Sequence, residues 1–199
     1  MVAIIDYGLG NLKSVKKALD HLKIESIITN DKNCISNSDF ILLPGVGAFN
    51  QGMINLEKLG LIEVLNHEVL IKKKKFLGIC LGFQLLFEKS HENGINKGLG
   101  WIKGAVVKIN TNYKIPHMGW NNIKYIDEEN YIDTFQRNFY FVHSYHVIPK
   151  DYSQVTSYVH YGIEIVSSIK KENIFGTQFH PEKSQKAGLE LLSKFFVKC

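Results

Sequence analysis

The chain has 199 residues, 45% of them apolar and 22% charged, and its formal net charge is +5. That length and balance suit one domain with a sizeable core. They exclude a disordered chain, and the apolar runs are too short to span a bilayer. Met1 leads directly into Val2-Ala3-Ile4-Ile5-Asp6, so no signal peptide and a cytoplasmic location are expected. The three cysteines, Cys34, Cys80 and Cys199, are widely spaced and form no C-x-x-C. This argues against a disulfide framework and against structural zinc, and it suits a reducing compartment.

Residues 2–5 form a wholly apolar run, the pattern of a buried strand. Asp6-Tyr7-Gly8-Leu9-Gly10-Asn11 follows, with Lys13 where a dinucleotide loop needs its third glycine. It therefore reads as a tight strand-to-helix turn that presents Asn11. Leu12, Val15, Leu19 and Leu22 lie at helical spacing. Strands are expected over 24–29 and 40–43. The second ends in Leu43-Pro44-Gly45-Val46-Gly47-Ala48-Phe49, a glycine-rich turn without the Lys-Ser/Thr of a phosphate loop. Helices are expected over about 50–58 and 61–71.

Lys72-Lys73-Lys74-Lys75 has no interleaved aromatics and directly precedes an apolar run at 76–79. It reads as a solvated turn before a strand, and no nucleic-acid binding is expected. A helix is predicted over 81–89. Strands alternating with helices imply an open, mostly parallel sheet covered on both faces. Beyond residue 100 the pattern changes to short β-type runs at 105–109, 122–125, 139–143, 154–159, 164–170 and 174–178. These are read as antiparallel additions to the sheet, closed by an amphipathic helix over about 184–197. No repeat or linker interrupts the chain, so residues 1–199 are read as a single domain.

In open α/β sheets, sites form at the carboxyl ends of parallel strands. Tyr7-Gly8, Pro44-Gly45 and Cys80 each follow such a strand and are expected on one rim. Gly78-Ile79-Cys80-Leu81-Gly82 is a thiol version of the strand–nucleophile–helix elbow, in which a sharp turn requires small neighbours. The helix that follows aims its free N–H groups at the sulfur and favours thiolate. The same five residues also fit a thiol packed in a strand between two glycines, and later residues decide between the two. A thiolate nucleophile needs a proton carrier and a group to orient it. Of eight histidines, His21 and His67 fall in helical stretches and His91 in a polar loop. His180 differs, because it ends a strand-like run and is followed by Pro181 and Glu182. Proline biases His180 to extended backbone, and Glu182 is positioned to accept the second imidazole N–H. Cys80, His180 and Glu182 are thus the candidate catalytic set.

Gly78-Ile79-Cys80-Leu81-Gly82-Phe83-Gln84 with Phe179-His180-Pro181-Glu182 resembles the signature pair of the class I, triad-type glutamine amidotransferases. Further segments resemble the glutaminase subunits of imidazole glycerol phosphate synthases. They are residues 6–15, 43–49, Pro116-His117-Met118-Gly119-Trp120-Asn121, Tyr140-Phe141-Val142-His143-Ser144-Tyr145 and Lys183-Ser184-Gln185. Phe83 departs from the methionine common in such chains, a swap of one bulky apolar group for another. The resemblance implies a flavodoxin-like amidotransferase fold and hydrolysis of L-glutamine to glutamate and ammonia. Oxyanion donors would be the N–H of Leu81 and one from Val46-Gly47, and glutamine would be bound by Gln84 and by His143-Ser144-Tyr145. It implies no cofactor or metal.

The same resemblance implies a cyclase partner, a (β/α)8 barrel forming a heterodimer, which would receive the ammonia for imidazole glycerol phosphate synthesis in histidine biosynthesis. Asn11, Met118, Trp120 and Lys183 are expected at or near that contact. Alternatives are the same chemistry feeding another amidation pathway, such as surface-sugar modification, or a stand-alone cysteine hydrolase.

Overall fold

The computed structural model describes residues 1–126 and 137–196. In the first half, β1 (Val2–Ile5) leads to α1 (Leu12–His21), β2 (Ser26–Thr29), α2 (Lys32–Asn37) and β3 (Phe40–Leu43). Then come α3 (Phe49–Lys58), α4 (Leu61–Asn66), β4 (Lys75–Ile79) and α5 (Leu81–Gln84). The second half holds β5 (Phe87–Ser90), β6 (Asn96–Lys97), β7 (Ile102–Lys108), β8 (His117–Tyr125), β9 (Asn138–His143) and β10 (Tyr145–Pro149). The chain continues through β11 (Val155–His160), β12 (Glu164–Lys171), β13 (Ile174–Thr177) and α6 (Gln185–Phe195).

The main sheet has nine strands in the order β2-β1-β3-β4-β13-β12-β11-β8-β9. The first five run parallel and the rest continue antiparallel. Successive side chains on a strand point to opposite faces, and here both faces are covered. Val2 and Ile4 of β1 join Val15 and Leu19 of α1 and Leu191 and Leu192 of α6 in one core cluster. Ala3 and Ile5 join Ile35 of α2, Leu56 of α3 and Leu61 and Leu65 of α4 in the other. Burial on both sides is why these strands read as unbroken apolar runs. Polar caps set where the first two helices begin. Asn11 accepts the Ser14 N–H at 3.3 Å to start α1, and Asp31 accepts the Cys34 N–H at 2.8 Å to start α2.

Several expectations are corrected. The helix predicted over 81–89 stops at Gln84, and Phe87–Ser90 is a strand. The backbone N–H groups of Gly98, Leu99, Gly100 and Ile102 donate to the carbonyls of Glu88, Leu85, Phe87 and Leu86, so that stretch is claimed by non-local pairing. β5, β6, β7 and β10 form a separate four-stranded sheet in the order β10-β7-β5-β6, so the run at 105–109 is not an addition to the main sheet. β13 is parallel to β4, in register Gly176 with Gly78. The helix expected over 61–71 gives way to a π-turn at His67–Ile71. α2, β5, β6 and β10 were not anticipated. Val197, within the expected last helix, lies outside the described residues. No helix among the described residues is long and apolar enough to cross a membrane.

Candidate active site

Cys80 lies between the end of β4 and the start of α5, at φ 53° and ψ −103°. A side chain at positive φ is strained by about 1–3 kcal/mol and persists only where its surroundings enforce it. Here Cys80 N–H donates to Thr177 O at 2.7 Å, and Gln84 N–H donates back to Cys80 O at 3.1 Å. The flanking glycines are required sterically. A Cβ on Gly78 would lie 2.8 Å from Gly82 O, and one on Gly82 would collide with Leu43 O of the neighbouring strand. The thiol is thus carried on an elbow, as its glycine spacing predicts. α5 is a single turn, too short to supply the dipole expected of a longer helix.

His180 is 1% exposed. Its N–H donates to Tyr140 O at 2.9 Å, and its carbonyl accepts from Ser184 Oγ at 2.6 Å. Its Nδ1 meets Glu182 Oε1 at 2.8 Å, with both side chains almost wholly buried. Its Nε2 is buried and has no partner of good hydrogen-bond geometry among the described residues. It nevertheless lies close enough to the sulfur for Cys80 to act on it electrostatically. Burial lowers the imidazole, but the charge of the neighbouring Cys80 and the Glu182 carboxylate outweigh that and raise His180 to about 10. The structure therefore brings Cys80, His180 and Glu182 together from residues a hundred positions apart.

A cleft of about 510 Å³ opens over Cys80. Val46, Gly47, Leu81, Gln84, His143, Ser144 and Tyr145 all line it, as does Lys183. Gln84 is buried and donates through Nε2 to Tyr145 O and to Gln178 Oε1, each at 3.0 Å. Its NH₂ is thereby used by the protein, and its oxygen is left as an acceptor. Gln178, fully buried, donates in turn to Cys80 Sγ at 3.6 Å. His143 faces inward: Nδ1 bonds Tyr145 O at 2.8 Å and Nε2 bonds His117 Nδ1 at 3.0 Å. Burial holds His117 down to about 4 and His143 to about 3, so the pair is uncharged. Both ring nitrogens of His143 are thus spent within the protein.

Sequence reasoning missed Glu92 and Gln178. Glu92 lines the cleft, and its Oε2 accepts Phe49 N–H at 2.7 Å. It comes from the polar stretch after Ser90, which carries no periodic signal. Gln178 sits at the end of an otherwise apolar run, and that isolated buried amide was the available clue.

The three turns expected on one rim do converge there. A Cβ on Gly10 would lie 3.3 Å from Gly45 Cα, and one on Gly45 would meet Leu81 Cβ at 2.9 Å. Gly45 O accepts the Leu81 N–H at 3.2 Å. Val46 is partly exposed above this contact. Met118 and Trp120 stand out from β8 at 62% and 46% exposure, outside the core. The Lys183 ammonium lies 5.8 Å from the Tyr140 ring centroid, and that ring packs edge-on against Trp120. Asn11 is exposed and caps α1 without lining the cleft. Among the described residues no group of three or more His, Cys, Asp or Glu side chains is arranged to hold a metal ion.

A thiol on a strained turn, an imidazole oriented by a carboxylate and a rim of backbone amides at the end of a parallel sheet are the parts of a cysteine-dependent acyl-transfer enzyme. Comparison with known proteins narrows that class. The chain belongs to the class-I glutamine amidotransferase family, whose description "Glutamine amidotransferase class-I" matches residues 3–199. It is 49% identical over 195 residues to the imidazole glycerol phosphate synthase subunit HisH of Aquifex aeolicus, covering 96% of this chain and 94% of that one. It is 46% identical over 199 residues to subunit HisH 2 of Methanococcus maripaludis, covering 98% of both. Among solved structures, a glutamine amidotransferase crystal structure superposes with a TM-score of 0.78 at 17% identity, covering 98% of this chain and 97% of that one. PurLQS from Thermotoga maritima gives 0.73 at 18%, covering 98% and 96%. At such identities the superpositions speak to the fold alone.

Proposed function

We propose that this chain is the glutaminase subunit of an imidazole glycerol phosphate synthase, acting as one domain over residues 1–199. It hydrolyses L-glutamine to glutamate and ammonia, and the ammonia serves histidine biosynthesis. The observation that carries the reading is the buried Nδ1–Oε1 contact of 2.8 Å between His180 and Glu182 beside the strained Cys80. Its support is the extent of identity to HisH subunits along nearly the whole chain.

Cys80 attacks the side-chain amide carbon of glutamine. His180, held charged by its neighbours, gives a proton to the leaving ammonia and later takes one from the water that attacks the thioester. Glu182 keeps Nδ1–H in place and stabilises the imidazolium. The oxyanion is held by the N–H of Leu81 and one from Val46 or Gly47, each donor worth about 2.7–4 kcal/mol in the transition state. The α-ammonium of the substrate meets the free oxygen of Gln84 and the carboxylate of Glu92, and its carboxylate meets backbone at 143–145. No cofactor or metal enters this scheme.

Leu81 N–H is bonded to Gly45 O, so the oxyanion hole is incomplete until the turn 44–47 moves. Turnover by the free chain is accordingly low. Docking of a cyclase subunit, a (β/α)8 barrel forming a heterodimer, completes the hole. It also keeps the ammonia from water, where most of it would be protonated and unreactive. Met118, Trp120, Asn11 and Lys183 form the docking surface, and the site of action is the cytoplasm.

The test is covalent capture of Cys80 by a diazoketone analogue of glutamine, located by peptide mass. With the cyclase present, Cys80→Ala abolishes glutamine-dependent synthesis and leaves ammonia-dependent synthesis intact. Full glutamine-dependent activity in Cys80→Ala would sink the mechanism.

A further inference from the structure

Tyr7 lies in the turn after β1, and its ring is packed in the core at 1% exposure. Its hydroxyl is buried and has no hydrogen-bond partner among the described residues. That is an unusual state for a buried donor, since such groups are ordinarily paired. The hydroxyl occupies the space that a Cβ would take at Gly45, and Leu81 Cβ lies 2.9 Å from the same point. The tip of Tyr7 therefore rests on the buried Gly45 peptide, between the rim turn and the elbow. The carbonyl of that same glycine is engaged with Leu81 N–H at 3.2 Å, a donor the reaction needs free. An orphaned donor thus sits beside an acceptor that is holding a donor required elsewhere.

We propose that Tyr7 is a positioning residue for the oxyanion hole: when the turn 44–47 shifts, its O–H takes over the Gly45 carbonyl and releases Leu81 N–H to the tetrahedral intermediate. The inference deepens the glutaminase reading and rests on it. The exchange is favourable because the released carbonyl stays buried and would otherwise lose its partner. In the resting arrangement the unpaired group is the hydroxyl, and in the shifted one every donor has an acceptor. The phenol remains a donor at any working pH, because burial and the neighbouring Cys80 charge both raise it. The same crowding explains why position 45 is glycine, since any side chain there would displace the hydroxyl.

The test compares wild type with Tyr7→Phe, each in complex with the cyclase subunit. The ring is retained, so packing is preserved. Expected for Tyr7→Phe is a fall in kcat for glutamine of about tenfold, the value of one hydrogen bond. KM should be unchanged, and the free chain should melt at the same or a higher temperature. Alkylation of Cys80 by iodoacetamide, followed as loss of glutaminase activity, should keep its rate. That displacement needs the thiolate but builds no oxyanion. An unchanged kcat overturns the inference. So does a kcat loss accompanied by slower alkylation, by a raised KM or by a lower melting temperature. A wild-type complex that turns over no glutamine overturns the glutaminase reading itself and this inference with it, an outcome distinct from an active wild type indifferent to Tyr7→Phe.

Discussion

Cys80 and His180 act on each other, and the consequence is measurable as proton binding. The imidazole is raised from 6.5 to about 10 against its own burial, with the sulfur's charge the largest raising cause. A histidine raised on folding stabilises the native state fully below its unfolded value and loses that contribution as pH climbs through the folded one. For His180 the loss runs between pH 6.5 and about 10. Cys80→Ala removes the sulfur and should draw the His180 titration downward, so the stability contributed at low pH shrinks and its loss is complete at a lower pH. Imidazole chemical shifts followed against pH check the first effect, and urea unfolding at several pH values checks the second. A titration unmoved by Cys80→Ala would mean that Glu182 alone holds the charge.

At the level of elements, the elbow is pinned by contacts that no local pattern encodes. Gly82 is the second residue of a one-turn helix and lies so close to β3 that a Cβ would collide with Leu43 O. Gly82→Ala should destabilise the chain by about 3 kcal/mol, as overpacking against immobile backbone does. A lowered urea midpoint with unchanged slope checks it. The strands 2–5 and 40–43 and the helix after Asn11 were readable because apolar runs and a side-chain cap express local physics. The helix predicted over 81–89 failed because Leu85, Leu86 and Phe87 satisfy their carbonyls with residues 99–102 instead of the next helical turn. Their apolar character suits either state, so only the partner strand decides. α2 was missed because its six residues, Lys32-Asn33-Cys34-Ile35-Ser36-Asn37, bury a single apolar side chain, Ile35.

For the molecule as a whole, the exposed aromatic on β8 is the feature that a lone glutaminase would not need. Trp120 is 46% exposed, packs against Tyr140, and shares a hollow of about 270 Å³ with Asn138, Ser184 and Gln185. Interface anchors are typically large aromatics beside such hollows. Trp120→Ala should leave the free chain's melting temperature unchanged and weaken cyclase binding about 30-fold, a loss of roughly 2 kcal/mol. Titration calorimetry or co-elution measures it, and unchanged affinity would remove Trp120 from the docking surface. The two-faced parallel half of the sheet and its rim were legible in the alternation of strands and helices. The separate sheet of β5, β6, β7 and β10 was not, because its pairing joins residues as distant in the chain as Gly104 and Pro149.

The amino-acid sequence alone determined where the candidate residues stand in the chain: Gly-x-Cys-x-Gly after an apolar run and His-Pro-Glu after another mark their own turns through steric demands that hold wherever they occur. Only the tertiary structure decided their state. It placed His180 against Cys80 and filled Gln84's amide with Tyr145 and Gln178. It also turned His143 inward to His117 and set Gly45 O on Leu81 N–H beneath the idle hydroxyl of Tyr7. Each of these is a contact between distant segments. Its partner is chosen by how the sheet and its second layer pack, and not by the residues on either side.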